Sequence, residues 1–246
     1  MPMPEHVVEV RHSTSEGNRA ARAAKEGDLR YYTDEYRARL DIDWRATEQG
    51  VEDAQVTGAW ITKHIIEEYD LTDGRNNIGF DLHMVTPYLR GRETAGNLWL
   101  PNAKWRINRQ LREREHGLVS SLTRQEFAEQ YPDYFDWLQK DPIHGKPPGG
   151  ESIAEVAENR VREVLDTLHR AHDEKGAQSA ILVAHGEYMW ASALVLDYMF
   201  DVDYMESHND ASQKMHNNQV KHRTRVNPEN GELAPYLRWW RSVCPQ

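Results

Sequence analysis

Apolar residues in this chain alternate between short, β-branched or wholly apolar runs and longer stretches spaced at three and four residues. Val7-Val8-Glu9-Val10 is the first short run and reads as a buried strand. It ends in Arg11-His12-Ser13-Thr14, and a helix is expected to start around Ser15 to Asn18. Residues 19–46 are polar, with Tyr31, Tyr32, Tyr36 and Trp44 as their bulk, and read as a long loop with a helical piece. Thr47 resembles an N-cap, and Val51, Ala54, Ile61 and Ile65 carry an amphipathic helix to about Tyr69. After a turn region at Leu71 to Gly79, a second strand is expected over Phe80 to Val85, and a third, short one at Trp105 to Ile107.

The texture changes at 118–148. Helical pieces near Thr123 to Gln130 and Tyr134 to Gln139 are dense in aromatics and are followed by Pro142, Pro147 and Pro148, which suggests a small helical cap. The longest helical pattern runs from Ser152 through Ile153, Val156, Val161, Val164 and Leu168, with Gly176 as its stop. Ala180-Ile181-Leu182-Val183-Ala184 has no polar residue, as in a central parallel strand. A helix over Tyr188 to Phe200 and a polar stretch at 201–216 follow, then a hairpin from Gln219 to Val226 and Leu233 onward, turning at Asn227 to Gly231. The alternation predicts the α/β class: a three-layer α/β/α sandwich with a mostly parallel central sheet. A single domain over 1–246 is expected, with the cap insertion at 118–148.

Composition narrows the function. The 246 residues carry 40 acidic and 30 basic side chains, a formal charge of −10, and the basic residues are interspersed with acids rather than gathered in a stripe. That argues against a polymeric nucleic acid as partner. The lone cysteine, Cys244, excludes an intramolecular disulfide and a cysteine zinc site. No apolar run approaches the ~20 residues of a membrane span, and the opening Met1-Pro-Met-Pro resembles no targeting signal, so a cytoplasmic protein away from membranes is expected.

Three groups fall at expected strand ends: Arg11-His12, Arg90 and His185-Gly186. In open α/β sheets, ligands collect beyond the carboxyl ends of the strands, so these distant segments can converge. An imidazole can attack phosphorus, and a guanidinium fork matches phosphoryl oxygens. There is no phosphate-binding Gly-x-x-x-x-Gly-Lys loop, no dinucleotide fingerprint, no serine elbow and no short-spaced metal-ligand cluster, so neither a metal nor a cofactor is expected.

Val10-Arg11-His12-Ser13-Thr14-Ser15-Glu16-Gly17-Asn18 resembles the Arg-His-Gly-Glu-Ser-x-x-Asn signature of the histidine phosphatase superfamily, which includes the cofactor-dependent phosphoglycerate mutases. Further segments agree in order: Thr47-Glu48-Gln49-Gly50 with Gln55, Thr86-x-x-x-Arg90-x-x-x-Thr94, Leu111-x-Glu113-x-x-x-Gly117, Gly150-Glu151-Ser152 and Val183-Ala184-His185-Gly186. The resemblance implies that His12 is the nucleophile and forms a phosphohistidine. It implies that Arg11, Arg90 and His185 surround the phosphoryl group, with Asn18 and Gly186 beside it, and that Glu113, rather than Glu115, protonates the leaving oxygen; Ser13 adds a side chain beside the nucleophile that either donates to phosphate or narrows the pocket. The pattern departs from the family at Ser13, where glycine is usual, at Thr14, where an acid is usual, and at Gly91, where alanine is common. The segment between Asn18 and Gly50 lacks a mutase-like Thr-Gly-Trp stretch, and Gly150-Glu151-Ser152 leans to the phosphatases. A phosphatase acting on a small phosphorylated metabolite is therefore expected, with mutase-like transfer or non-catalytic phosphate binding as the alternatives. Arg75, Arg92, Arg109, Arg114, Lys140, Lys214 and Lys221 are candidates for an outer anionic pocket, and a homodimer is left open.

Overall fold

The computed structural model describes residues 3–210 and 214–245; part of the 201–216 stretch, and both ends of the expected 1–246 domain, lie outside the described residues. Six strands form one sheet: β1 (His6–Arg11), β2 (Leu82–Val85), β3 (Arg106–Ile107), β4 (Ser179–Ala184), β5 (Val220–Thr224) and β6 (Trp239–Val243). Their order is β3-β2-β4-β1-β5-β6. The β1–β4, β4–β2 and β2–β3 ladders are parallel, whereas β5 joins β1 antiparallel and β6 joins β5 antiparallel.

Alternation along β1 and β4 sorts the core into two layers, because successive side chains leave opposite faces of a strand. Val7, Leu182 and Ala184 pack on one face with Val156, Leu168 and Tyr188. Val8, Val10, Ile181 and Val183 pack on the other with Ile61, Ile65 and Leu98. Helices cover both faces, which completes the expected α/β/α sandwich.

The ten α-helices among the described residues are α1 (Glu16–Lys25), α2 (Asp34–Ala38), α3 (Glu48–Ile61), α4 (Leu89–Asn97), α5 (Arg124–Gln130), α6 (Pro132–Lys140), α7 (Ile153–Val156), α8 (Arg162–Lys175), α9 (Gly186–Leu196) and α10 (Asp201–Asn209). Local chemistry sets several ends. Ser15 caps α1 in a reciprocal box with Asn18, Thr47 caps α3, and Ser152 caps α7 with Glu155. A π-turn at Ala157–Val161 divides the long helical pattern into α7 and α8, and Gly176 ends it in the left-handed region at φ 68°.

Two elements differ from the sequence expectation. The 201–216 stretch contains α10, whose anchor is the buried Tyr204 ring stacked edge-on against Trp190 at 5.4 Å. One buried aromatic, beside an exposed Val202 and a half-buried Met205, leaves no periodic signal. The hairpin is also longer than expected. Val226 and Leu233 form only an isolated bridge, and β6 begins at Trp239. Beneath that edge the buried Arg223 donates to Glu9 at 2.5 Å and to Asp197 at 2.7 Å, while Lys221 pairs with Asp197, so charge as well as backbone ties β5 to β1.

Candidate active site

Parallel pairing brings the carboxyl ends of β1, β2 and β4 side by side. The His12 N–H donates to the Ala184 carbonyl at 2.9 Å and the Thr86 N–H donates to the Val183 carbonyl at 3.0 Å, so the segments leaving these strands emerge together. His12 and His185 are fully buried, with ring centroids 4.9 Å apart. The His12 Nδ1–H donates to the Ser13 carbonyl at 2.7 Å. That bond selects the tautomer in which Nε2 keeps its lone pair. Arg90, on α4, donates from Nε to this His12 Nε2 at 3.3 Å. Its Nη1 donates to the Asp41 carbonyl at 2.6 Å, and its guanidinium lies over the Tyr88 ring. The Thr86 hydroxyl lies 2.9 Å from His185 Nε2, which leaves Nδ1 to face Glu113 Oε2 at 3.3 Å.

Glu113 arrives from an irregular loop held from behind. The buried Arg160 donates to the carbonyls of Arg112 at 2.8 Å and Glu113 at 3.2 Å, and pairs with Glu151 at 2.9 Å. Glu151 in turn accepts from the Glu115 N–H at 2.9 Å. Glu115 is exposed, so of the two neighbouring acids only Glu113 reaches the histidines. Arg160 is the positioning group that the sequence reading missed: a buried arginine in a helical pattern reads as a surface charge.

These side chains open into a cavity of about 330 Å³. His12, Asn18, Arg90 and Glu113 line its base, and Tyr36, Trp44, Val119, Leu122, Phe127 and Leu138 are among its walls. The polar excursion after α1 and the 118–148 segment meet over it. Arg37 pairs with Glu126 at 2.8 Å, and Tyr36 stacks on Trp44 at 4.9 Å. Asn18 Oδ1 accepts from Ser15 and from Asn217. Three of the expected phosphate contacts lie elsewhere. The Ser13 hydroxyl is fully buried and accepts from Thr94 at 3.1 Å, so it does not line the cavity. Gly186 and Arg11 pack against each other, and Arg11 donates from Nη1 to the Met215 carbonyl, leaving its Nε buried without a partner. Of the seven outer cations considered from the sequence, Arg114 alone lines this cavity. Arg75 and Arg109 lie with β3 on another surface, and Lys221 is spent on Asp197.

Burial dominates the electrostatics. It pushes the His12 pKa well below the usual imidazole value, reinforced by Arg90, His185 and Arg11, and lowers that of His185 to about 4. Both rings are neutral at pH 7. For Glu113, burial favours the neutral acid, but His185 and Arg90 outweigh it and hold the carboxyl well below the usual range. The ligating atoms of His12, Glu113 and His185 lie within 4.8 Å of one another, a spacing a metal could use. Arg90 Nη2 stands 3.9 Å from Glu113 in the same space, and that fixed positive charge suits an anion better.

Residues 32–216 match the family described as histidine phosphatase superfamily (branch 1). The chain belongs to that superfamily. A histidine phosphatase of this branch has relatives among the 2,3-bisphosphoglycerate-dependent phosphoglycerate mutases. The chain is 29% identical to that of Methylocella silvestris over 49% of its length and 59% of the relative's, so this match spans less than two thirds of the relative. It is 24% identical to that of Lactobacillus johnsonii over 67% of its own length and 78% of the other. Among solved structures, a mycobacterial glucosyl-3-phosphoglycerate phosphatase complexed with VO3 superposes with a TM-score of 0.65 at 18% identity, covering 89% of this chain and 92% of that one. The alpha-ribazole phosphatase from Shigella flexneri superposes with a TM-score of 0.61 at 15% identity, covering 95% and 96%. At these identities the likeness concerns the fold.

Two departures from the superfamily pattern have a physical reason. A Cβ on Gly91 would sit 2.1 Å from Thr86 Cγ2, so glycine at 91 makes room for the threonine whose hydroxyl meets His185. The Ser13 side chain fits because Gly50 leaves space: a Cβ there would lie 3.1 Å from Ser13 Oγ and 2.4 Å from the Thr14 carbonyl oxygen. No helix among the described residues is long and apolar enough to cross a membrane.

Proposed function

We propose that this histidine phosphatase hydrolyses a small phosphomonoester through a phosphohistidine on His12, with Arg90, His185 and Asn18 around the phosphoryl group and Glu113 as the proton carrier. The observation that carries the reading is the His12 ring. Its Nδ1–H is committed to the Ser13 carbonyl, and its Nε2, at the base of the cavity, accepts from Arg90 Nε at 3.3 Å, a contact that must pass to the phosphoryl oxygens before the lone pair attacks. A neutral, oriented imidazole is the form that can attack phosphorus.

The step balances with the substrate entering as its monoanion. Nε2 forms the P–N bond as the P–O(ester) bond breaks. The substrate's own proton passes through Glu113 to the leaving oxygen, releasing the alcohol. Nδ1 keeps its hydrogen, and its contact with the Ser13 carbonyl strengthens as the ring becomes cationic. Water then attacks phosphorus, Glu113 relays its proton, and inorganic phosphate leaves with His12 restored. The guanidinium of Arg90 supplies donors where charge develops on the phosphoryl oxygens, while His185, through Nδ1, holds Glu113 in place. Entry of the phosphate raises the proton affinity of Glu113 by like-charge repulsion, which lets a resting carboxylate serve as acid in the complex. The 118–148 segment acts as a cap: its Val119, Leu122 and Phe127 wall the cavity and limit water during transfer.

The curated relatives are mutases and the structural neighbours include phosphatases. Hydrolysis is the reading favoured here by Glu151, which, in the Gly150-Glu151-Ser152 segment typical of the phosphatase branch, holds the Glu113 loop through Arg160 and the Glu115 N–H. The test is rapid quench with a phosphomonoester, followed by peptide mapping, with phosphate release and isomer formation followed in the same samples. Acid-labile phosphate on His12, lost in His12→Ala and appearing as free phosphate, is expected. Full turnover by His12→Ala would overturn the proposal.

A further inference from the structure

The outer cavity is lined by three basic side chains, Arg114, His116 and Arg124, and the first two are paired with one carboxylate. Arg114 Nη2 lies 2.6 Å from Glu187 Oε1, and His116 Nε2 lies 3.1 Å from Glu187 Oε2. Glu187 sits in the first turn of α9, two residues beyond His185, so the strand end that delivers the histidine also fixes the carboxylate. Arg124 is the other outer cation among the lining residues. It donates to Gln139 Oε1 at 2.7 Å and lies over the Phe135 ring. The remaining outer surface is aromatic and aliphatic, with the Asp41 carboxyl as a further acid near Arg90.

We propose that Glu187 is a specificity-determining residue: as a built-in counter-ion for Arg114 and His116, it restricts this site to phosphomonoesters whose leaving group carries no second negative charge. The inference rests on the proposed phosphatase reading and names its substrate class. A carboxylate or second phosphate on the leaving group would find its natural partners occupied. To reach them it must displace a carboxylate tethered at bonding distance, or share two cations with it against like-charge repulsion. An uncharged leaving group pays neither cost, and it gains contact with Tyr36, Trp44, Val119, Leu122 and Phe127. Positive charge at Arg114 and His116 thus holds the Glu113 loop to α9 instead of holding substrate.

The experiment compares two nearly isosteric esters, para-(carbamoylmethyl)phenyl phosphate and para-(carboxymethyl)phenyl phosphate, whose methylene insulates the leaving oxygen from the distal group. The wild-type protein is expected to favour the amide by about tenfold in kcat/KM, the effect of ~1.4 kcal/mol of charge interaction, expressed mainly in KM. Glu187→Gln keeps the size and frees the Arg114 guanidinium, while removing the carboxylate that favours a charged His116, and the amide-to-acid ratio should fall by about tenfold or invert. Glu187→Ala should move the ratio the same way. Equal wild-type use of the two esters overturns the inference, a result that needs no variant to fold. So does an unchanged ratio in folded Glu187→Gln. Failure of the underlying reading looks different: neither ester is turned over and no phosphate reaches His12.

Discussion

Replacing Glu113 by glutamine removes the one carboxylate that touches both His185 and Arg90 while keeping its volume. The structure sets two opposing consequences. Glu113 Oε2 lies 3.9 Å from Arg90 Nη2 and 3.3 Å from His185 Nδ1. At an effective dielectric of about 20, a charge pair at ~4 Å attracts by about 4 kcal/mol, and that attraction competes with an incoming phosphoryl dianion. Releasing even a third of it, about 1.4 kcal/mol, strengthens binding of inorganic phosphate about tenfold. Chemistry moves the other way. An alkoxide cannot depart without a proton, and a positioned acid contributes roughly 10²–10⁴-fold. An activated aryl ester releases a stable phenolate and needs little protonation. Glu113→Gln should therefore slow phosphorylation of His12 by an alkyl ester by about 10²–10⁴-fold, slow the aryl ester by less than about tenfold, and leave phosphate inhibition as strong as in the wild type or stronger. Single-turnover quench with both esters, beside phosphate inhibition constants, measures all three. Equal losses on the two esters would refute the acid role. Glu115 could not then inherit it, since it is exposed and turned to the Gly117 N–H, and Glu187 would be the acid to examine.

Three further outcomes are expected. In nitrogen-detected NMR of the free protein, His12 should remain the neutral Nδ1–H tautomer as pH falls through ~6.5, because burial, and with it the Arg90 and Arg11 guanidiniums, lower its pKa; titration at the ordinary imidazole value would contradict the burial argument. Burial also depresses His6, His83 and His185 to about 4 and His222 to about 3. A depressed folded-state pKa contributes stability that is present above the unfolded value and is lost as pH falls, so urea midpoints should drop steeply between about pH 7 and about pH 5, by on the order of 1 kcal/mol per histidine; a flat profile there would show these rings to be solvated. Finally, Gly91→Ala should cost ~1–3 kcal/mol and disturb His185 through Thr86, while adding Thr86→Ser, which deletes the methyl and keeps the hydroxyl, should restore most of the loss; additive losses on denaturation and activity would show that the two side chains do not collide.

Local patterning decided much of this protein in advance. The β-branched run at 7–10, interrupted only by Glu9, and the wholly apolar run at 180–184 read as strands buried on both faces, and Ser15, Thr47 and Gly176 mark helix ends by local hydrogen bonding and backbone freedom. The identities of His12, Arg90, Glu113 and His185 were legible because strand ends in such a sheet converge, and because their ordered segments resemble one family. What lay beyond the sequence depends on side chains meeting across long separations. Ser13 is one case: adjacency in the chain put it next to the nucleophile, whereas in the fold its buried hydroxyl meets Thr94 and is not among the groups lining the cavity. The same holds for the outer cations, since charge along a sequence carries no direction, and only folding shows Arg114 and His116 neutralised by Glu187 from another element. Helix α10 escaped notice because one aromatic anchor makes no period. Spacing along the chain encodes which elements form and which ends they present; the neighbours that tune a pKa, occupy a cation or leave room for a methyl group are set by packing, and packing is a property of the assembled layers.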